Sequence, residues 1–277
     1  MTARPSVLAV ASLLTLAMAI FGCHGDPSVA RNMHYQRAVD LIDQSKPQAA
    51  VVELKSAIEI DKQWSPAHRK LGEVYLSLGK TENALAAFND AARLDPENLE
   101  ILLDITECEI QLDRLSAARE HLNRYSKRVG TTARVDRLLG EIAHREGDKE
   151  AAKVHFEAAV ENDPSSADSH VGLAQLAVEA NDMHAATSEL EAAAEADPKD
   201  LKVQYGLAEV AIRMGDLGRA NEILDHIGQL DQQQVLNRLL KIENLIRMGE
   251  NDTAFNQATQ ITTDYPKLSR AWHGGGY

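Results

Sequence analysis

Three consecutive residues of this 277-residue chain have the types and order found at the end of a phosphate-binding loop. They are Gly79, Lys80 and Thr81, and in such a loop backbone N–H groups and the lysine hold phosphate oxygens. The motif also needs a preceding strand and a glycine five residues earlier, where this chain has Val74. Because neither is present in the sequence pattern, we interpret the segment as a turn between two helices.

Histidine side chains are the second candidate for chemistry, since imidazole is the commonest metal ligand in proteins. Three of the ten histidines occupy one position of a repeated pattern, namely His34, His68 and His170. They lie on different predicted helices, with no Cys or acidic residue at metal-ligand spacing. We predict that they pack between helices and that the chain holds no metal and no cofactor. Since no Ser/His/Asp arrangement is suggested either, we predict that the protein is not an enzyme.

One cysteine, Cys23, has a sequence context that predicts covalent modification. Arg4 gives a positive start, residues 7–21 are mostly apolar, and the small Gly22 precedes the cysteine. The apolar run is shorter than the roughly 20 residues that span a bilayer, which favours an export signal. Residues 1–23 resemble the signal of bacterial lipoproteins. The resemblance implies that residues 1–22 are removed and that the thiol of Cys23 receives diacylglycerol.

The same resemblance implies a place in the cell. His24 follows the cysteine, whereas many such lipoproteins are retained at the inner membrane by an aspartate there. We therefore expect a lipid anchor in the outer membrane, with the protein facing the periplasm and residues 23–30 forming the lipidated end and a short tether. An inner-membrane anchor formed by an uncleaved N-terminal segment is the alternative. The other cysteine, Cys108, is predicted to be a small buried core residue.

The elements that carry these residues follow a period of 34, marked by one alanine in each period. That period is typical of helix-turn-helix units that stack into a solenoid. The alanines are Ala50, Ala84, Ala118, Ala152, Ala186, Ala220 and Ala254.

Other positions of the period predict how each unit folds. Leu or Phe follows the alanine by four residues in six units, and Gly or Ala precedes it by twelve in five, including Gly72 and Gly140. Glycine inside a helix costs about 1 kcal/mol relative to alanine, so these glycines indicate helices that cross too closely for a larger side chain. Turn-forming residues precede the alanine by five, where glycine can take the left-handed conformation. They are Ser45, Gly79, Asp113, Gly147, Asn181, Gly215 and Gly249.

Together these positions resemble the tetratricopeptide repeat. The second unit carries the pattern almost whole, in Leu71, Gly72, Tyr75, Gly79, Ala84, Phe88, Ala91 and Pro96. The resemblance implies an all-α fold, a right-handed α-solenoid of seven helix-turn-helix repeats. The predicted units are residues 31–64, 65–98, 99–132, 133–166, 167–200, 201–234 and 235–268.

Beyond residue 268 the register continues into the start of an eighth unit, residues 269–277. Trp272 and Gly276 occupy positions that match the family pattern. Because a solenoid normally ends in a polar cap, we expect the natural protein to continue past Tyr277.

In this family the first helix of each unit lines a concave groove that binds proteins or peptides, and the resemblance implies the same groove here. Glutamate fills the ninth position of five units, where it either attracts a basic ligand or pairs with arginines four residues later and in adjacent repeats. The twelfth position is mostly aliphatic, which suits either a bound peptide or packing between repeats. The predicted groove residues are Tyr35, Arg69, Glu73, Leu76, Glu100, Glu107, Ile110, Arg137, Glu141, Arg145, Tyr205, Glu209 and Arg213.

Composition narrows the class of ligand. The net charge of −13 argues against nucleic acid, which requires a clustered basic face. Aromatic residues make up 4% of the chain, few for a groove that stacks sugar rings. We predict a protein–protein interaction scaffold at the periplasmic face of a bacterial envelope, which assists assembly of a secretion, pilus or exopolysaccharide-export machine. The alternative is the N-terminal regulatory portion of a longer membrane-anchored protein or enzyme complex.

Overall fold

The computed structural model describes residues 26–230 and 235–264, and within them the chain forms fourteen α-helices and no strand. None of these helices combines the length and the hydropathy needed to cross a membrane. Cys23 and residues 269–277 lie outside the described residues. The helices are α1 (Pro27–Asp43), α2 (Pro47–Ile60), α3 (Ser65–Ser77), α4 (Thr81–Leu94), α5 (Glu100–Gln111), α6 (Leu115–Val129), α7 (Ala133–Arg145), α8 (Lys149–Asn162), α9 (Ala167–Glu179), α10 (Met183–Ala196), α11 (Leu201–Met214), α12 (Leu217–Leu230), α13 (Val235–Met248) and α14 (Asn251–Asp264).

The helices pack in sequential pairs within two compact units, and the boundary between the units along the chain falls between Gly130 and Thr131. The first unit holds the pairs α1–α2, α3–α4 and α5–α6, and the second holds α7–α8, α9–α10, α11–α12 and α13–α14. Inside each unit, the second helix of a pair also packs against the first helix of the following pair. The all-α array of seven helix pairs predicted by the period of 34 is therefore confirmed.

The turn inside every pair has one geometry. In the second pair, the N–H of Gly79 donates to the carbonyl of Leu76 at 2.9 Å, and the N–H of Lys80 donates to the carbonyl of Tyr75 at 2.9 Å. This is the Schellman arrangement, which needs one residue with positive φ. All seven predicted turn residues have it, with φ between 56° at Ser45 and 84° at Gly147. The prediction that residues 79–81 form a turn is thus confirmed.

In the second and fourth pairs, the two helices lie so close that the first helix has no room for a side chain at the crossing. Phe88 of α4 is 1% exposed, and a Cβ added to Gly72 of α3 would lie 2.6 Å from its ring. In the fourth pair, a Cβ on Gly140 would lie 2.8 Å from the ring of Phe156. The close crossing predicted from the two helical glycines is confirmed.

The first helix begins earlier than the sequence predicts. The sequence analysis places residues 27–30 in a short tether, but α1 starts at Pro27. Asp26 caps it, because its carboxylate accepts a hydrogen bond from the N–H of Ser28 at 2.9 Å, and this bond lowers the pKa of the Asp26 carboxyl. Proline suits the first helical position because its fixed φ matches the helix and its missing N–H would have no partner there. This local start signal overrides the repeat boundary.

The repeated histidines join the two helices of their own pair. Nδ1 of His34 lies 2.7 Å from a carboxylate oxygen of Glu53, and Nδ1 of His170 lies 2.7 Å from one of Glu189. Nδ1 of His68 lies 4.0 Å from a carboxylate oxygen of Asp90 in α4, and its Nε2 lies 3.2 Å from the carbonyl oxygen of Lys62 in the preceding turn. These contacts confirm the packing role of the three histidines. In the described part of the chain, no His, Cys, Asp and Glu residues cluster in a way that could hold a metal ion.

We expect the substitution Gly72→Ala to lower the free energy of unfolding by about 1–3 kcal/mol, the usual cost of overpacking a core. Alanine has the better helix propensity, but its Cβ would displace the Phe88 ring. Gly218→Ala is the matched control, because Gly218 is exposed in α12 with nothing within 4 Å of an added Cβ. There we expect no loss, and up to about 1 kcal/mol of gain. Denaturation followed by circular dichroism compares the two, and equal effects would contradict the close crossing.

We expect the thiol of Cys108 to be inert in the folded protein. The side chain is 0% exposed, and burial raises the pKa of Cys108 to about 12. Since the thiolate is the reactive form, labelling by a thiol reagent at pH 8 should be at least about 100-fold slower than in denaturant. The measurement uses a Cys23→Ala variant, so that Cys108 is the only thiol. Similar rates in the folded and denatured states would refute the burial.

Candidate functional site

The predicted charged row of the first unit is engaged in contacts between neighbouring pairs. Nε of Arg69 donates to a carboxylate oxygen of Asp104 at 2.6 Å, across from α3 to α5, and Asp104 is only 8% exposed. Glu73 lies 3.9 Å from Arg69 and 2.5 Å from Lys70. Burial is the largest single effect and lowers the pKa of Lys70, but the hydrogen bond to Glu73 and the charges of Glu73 and Tyr35 together outweigh it, so the pKa is raised. The bridging interpretation therefore describes Arg69, whereas Glu73 pairs with cations of its own helix.

Other predicted groove residues of the first unit also take part in packing. The hydroxyl of Tyr125 donates to a carboxylate oxygen of Glu100 at 2.6 Å. Ile110 is 0% exposed, and Leu76 is half-buried against the core of the first pairs. Glu107 is half-buried. The aliphatic row is predicted either to bind a peptide or to pack between repeats. Because Ile110 is fully buried, it packs between repeats.

Tyr35 belongs to an aromatic cluster that the sequence did not indicate. Its ring centroid lies 5.0 Å from that of Trp64, at an interplanar angle of 57°. The guanidinium of Arg31 lies 4.3 Å from the centre of the Trp64 ring on the same side of the first pair. Trp64 escaped the prediction because it stands in the turn between two pairs, outside the helix positions used to define the groove.

In the second unit, the predicted glutamates pair with arginines of their own helix. Glu141 lies between Arg137 at 3.7 Å and Arg145 at 3.8 Å. Glu209 accepts a hydrogen bond from Arg213 at 2.6 Å. These are the pairs four residues apart that the sequence offered as the alternative to a ligand site. Arg145, Glu209 and Arg213 stay exposed, and Tyr205 is half-buried against the core of its pair.

A cleft of about 350 Å³ opens between the first helices α9 and α11 of the second unit. Its floor is apolar and includes Val171, Val178 and Val210. Gly206 lines the same floor, and a Cβ added to it would lie 2.9 Å from Leu190. The missing side chain at this position lets Leu190 of α10 pack directly against α11. The cleft can take one apolar side chain of a ligand.

The rim of this cleft is polar and carries Glu179, Lys202 and Glu209. Glu179 accepts hydrogen bonds at 2.7 Å from Lys149 and from His144, and these bonds lower the pKa of its carboxyl, Lys149 contributing most. Glu179 is therefore charged at neutral pH. A carboxylate has about four lone-pair sites, so the rim glutamates can accept further N–H donors from a ligand.

Only one of the predicted residues, Glu209, lines the cleft. The sequence missed Lys202 and Gly206, which have no counterpart in the charge rows used for the prediction. The sequence carries no separate signal for the cleft, because the glycines Gly172 and Gly206, one period apart, mark close contacts with Phe156 and Leu190.

A larger cavity of about 530 Å³ lies in the same unit among α8, α9 and α10. Its walls include Leu173 and Val160, and its rim carries carboxylates such as Glu157 and Glu161. Because two of its three helices are second helices of their pairs, it does not belong to the surface that the first helices form.

Two sequence profiles, both described as Tetratricopeptide repeat, match the chain. One matches residues 35–98 and 145–200, and the other residues 76–142 and 177–242. Taken together, the matches extend over more than half of the chain. A curated protein of Escherichia coli (strain K12), described as the ancillary SecYEG translocon subunit, is 27% identical over 150 residues, which cover 53% of this chain and 72% of that protein.

Solved structures with the same fold include a chain of the APC/C hetero-tetramer Cut9-Hcn1, with a TM-score of 0.59 and 20% identity. That match covers 79% of this chain but only 47% of the other, so this chain spans about half of its length. The structure of PilW, a widely conserved type IV pilus biogenesis factor, matches with a TM-score of 0.56 and 14% identity over 76% of this chain and 97% of that one. At these identities the structures support the fold alone. With helix pairs, turns and family profiles in agreement, the chain belongs to the tetratricopeptide repeat family.

Proposed function

We propose that this protein is an exported, lipid-anchored scaffold that binds a protein partner through the first helices of its repeats. The observation that carries the proposal is the cleft between α9 and α11, with an apolar floor and glutamates at its rim. Stacked repeats of this kind present extended surfaces suited to binding other chains. A fitting ligand is a peptide that places one apolar side chain in the cleft and a neighbouring Lys or Arg against Glu179 or Glu209.

The role in a bacterial envelope rests on the relatives and on the N-terminal sequence. One relative is described as a translocon subunit and one structure of the same fold as a pilus biogenesis factor. Both descriptions concern assemblies of the cell envelope. They support our proposal that the partner belongs to a secretion or pilus machine, and the resemblance of residues 1–23 to a lipoprotein signal supports an anchor in the outer membrane.

A binding role, without catalysis, agrees with how the described residues use their reactive groups. His34, His144 and His170 each contact a carboxylate within the packing of the helices. Cys108 is buried with a raised pKa. These groups serve the fold, which leaves recognition as the function that the first-helix surface supports.

The lipid anchor is tested by the substitution Cys23→Ala. When cells that express the protein are fed a radioactive fatty acid, the wild-type chain should incorporate the label, because the thiol of Cys23 is the acceptor. The Cys23→Ala chain should carry none. A Cys108→Ala chain is the control and should be labelled like the wild type. Unchanged labelling of the Cys23→Ala chain would remove the lipoprotein assignment.

The groove is tested by a photoreactive phenylalanine analogue introduced at Gln175, an exposed residue at the edge of the cleft. Irradiation in cells should join a protein partner to this position, and mass spectrometry identifies it. Adding the substitution Val178→Lys should lower the yield by about tenfold, because it places a charge in the apolar floor. The control position is Glu195, exposed on the second helix α10.

Two results would contradict the groove. One is an equal yield of the same adduct at Gln175 and at Glu195, which would place the partner elsewhere. The other is an adduct at Gln175 that Val178→Lys leaves unchanged, which would show that the cleft floor does not contact the partner.

A further inference from the structure

The helix α6 has a charge unlike that of the other second helices in the described chain. It carries four cations and one acid, whereas each of the others has more acids than cations. Three of its cations, Arg124, Lys127 and Arg128, are exposed and form no ion pair or side-chain hydrogen bond with any described residue. Other cations of the first unit, such as Arg69 and Arg93, have a carboxylate within 4 Å.

These three cations surround a cavity of about 390 Å³ in the first unit. The turn between α4 and α5 forms the opposite wall, and Leu99 and Leu102 lie on the floor. Asp95 and Glu97 also line it, so the cavity keeps one positive charge in excess. Arginine and lysine bind phosphate through charge-assisted hydrogen bonds. The lining therefore suits a phosphate that is attached to an apolar group.

The cavity lies on the edge of the first unit where the described chain begins. On this edge the N-terminal ends of the first helices meet the C-terminal ends of the second helices. The hydroxyl of Ser65, at the start of α3, donates to the carbonyl of Ala91 near the end of α4 at 3.1 Å. The hydroxyl of Tyr125 in α6 donates to the carboxylate of Glu100 at the start of α5 at 2.6 Å. Arg31 and Asp61 pair at the corresponding place in the first pair. The start of α1 and the end of α6 therefore share one edge.

Exposed aliphatic side chains lie along the same edge. Val29 at the start of α1 is 64% exposed, and Val129 at the end of α6 is 51% exposed. Ile60, the last residue of α2, is also exposed on this edge, at 38%. Aliphatic residues interspersed with unpaired cations are typical of protein surfaces that lie at the headgroup level of a membrane.

We propose that the cavity of Arg124, Lys127 and Arg128 binds the phosphate of a phospholipid headgroup, and that this contact sets the edge of the first unit against the membrane. The orientation rests on the membrane anchoring proposed above. Cys23 precedes Asp26 by three residues, which span at most about 11 Å. An anchor at that point brings the edge to the bilayer, and the cations then meet the headgroups.

The test uses the full chain in vesicles of phosphatidylcholine and phosphatidylglycerol that contain a phospholipid with a photoactivatable headgroup. After irradiation, mass spectrometry maps the labelled residues. We expect label on the segments around residues 95–102 and 124–129. A variant with Arg124→Gln, Lys127→Gln and Arg128→Gln should lose about tenfold or more of this label, since each cation near an anionic surface contributes about fivefold to binding.

A matched control removes the same charge from the opposite edge of the unit. Lys46, Lys80 and Arg114 are exposed there, one in each turn. Their change to glutamine should leave the label unchanged. All six substituted residues are exposed, and equal melting curves by circular dichroism verify that both variants fold.

Three results overturn the proposal. The first is that neither segment is labelled although the chain is bound to the vesicles. The second is that the two variants lose label equally. The third is that excess inorganic phosphate removes the label, which would assign the cavity to free phosphate. The anchor is judged separately, by fatty-acid labelling of Cys23. If Cys23 carries no lipid and the cavity is still labelled, the anchor is wrong and the phosphate site stands.

Discussion

The fold depends on how closely the two helices of each pair approach each other. In five of the seven pairs one helix has Gly or Ala at the crossing position, and in the second pair Phe88 of the other helix fills the space beside Gly72. The repeated alanine of the second helix is buried in every pair. Because interiors are packed as densely as crystals, this contact fixes the angle and the depth of each crossing. It therefore also fixes where the outer faces of the first helices lie.

Charge is used mainly to hold this arrangement in place. Asp104 and Arg69 bridge two pairs, Glu53 and Glu189 meet histidines inside their pairs, and Glu141 lies between two arginines. A sequence with many acids thus has fewer sites for a ligand than its glutamates suggest. Among the described residues, two surfaces remain for recognition: the cleft with an apolar floor between α9 and α11, and the exposed cations at the end of α6, which pair with no described side chain.

The period of 34 predicted most of the fold because it acts through contacts within one pair. A glycine that faces a phenylalanine sixteen residues later, or a turn residue with positive φ, is visible in the spacing alone. The candidate site was harder to predict, since it depends on contacts between pairs and on local signals. Asp26 and Pro27 start a helix inside the segment interpreted as a tether, and Trp64 packs from a turn. Ile110 was also hard to predict, because its place at the aliphatic twelfth position of the repeat does not tell whether a neighbouring pair buries it.

The turns inside the pairs differ in one respect that affects the whole array. Ser45, Asp113 and Asn181 hold a positive φ in the first, third and fifth pairs, and glycine does so in the other four. A residue with a Cβ pays about 1 kcal/mol or more for that conformation, less for Asp and Asn. In a linear array, stability is the sum of each unit's own contribution and its contacts with its neighbours. Costlier and less costly turns therefore alternate along the first six pairs, so that the intrinsic stability of the units is uneven along the array and each pair with a costlier turn is followed by one whose turn is formed by glycine.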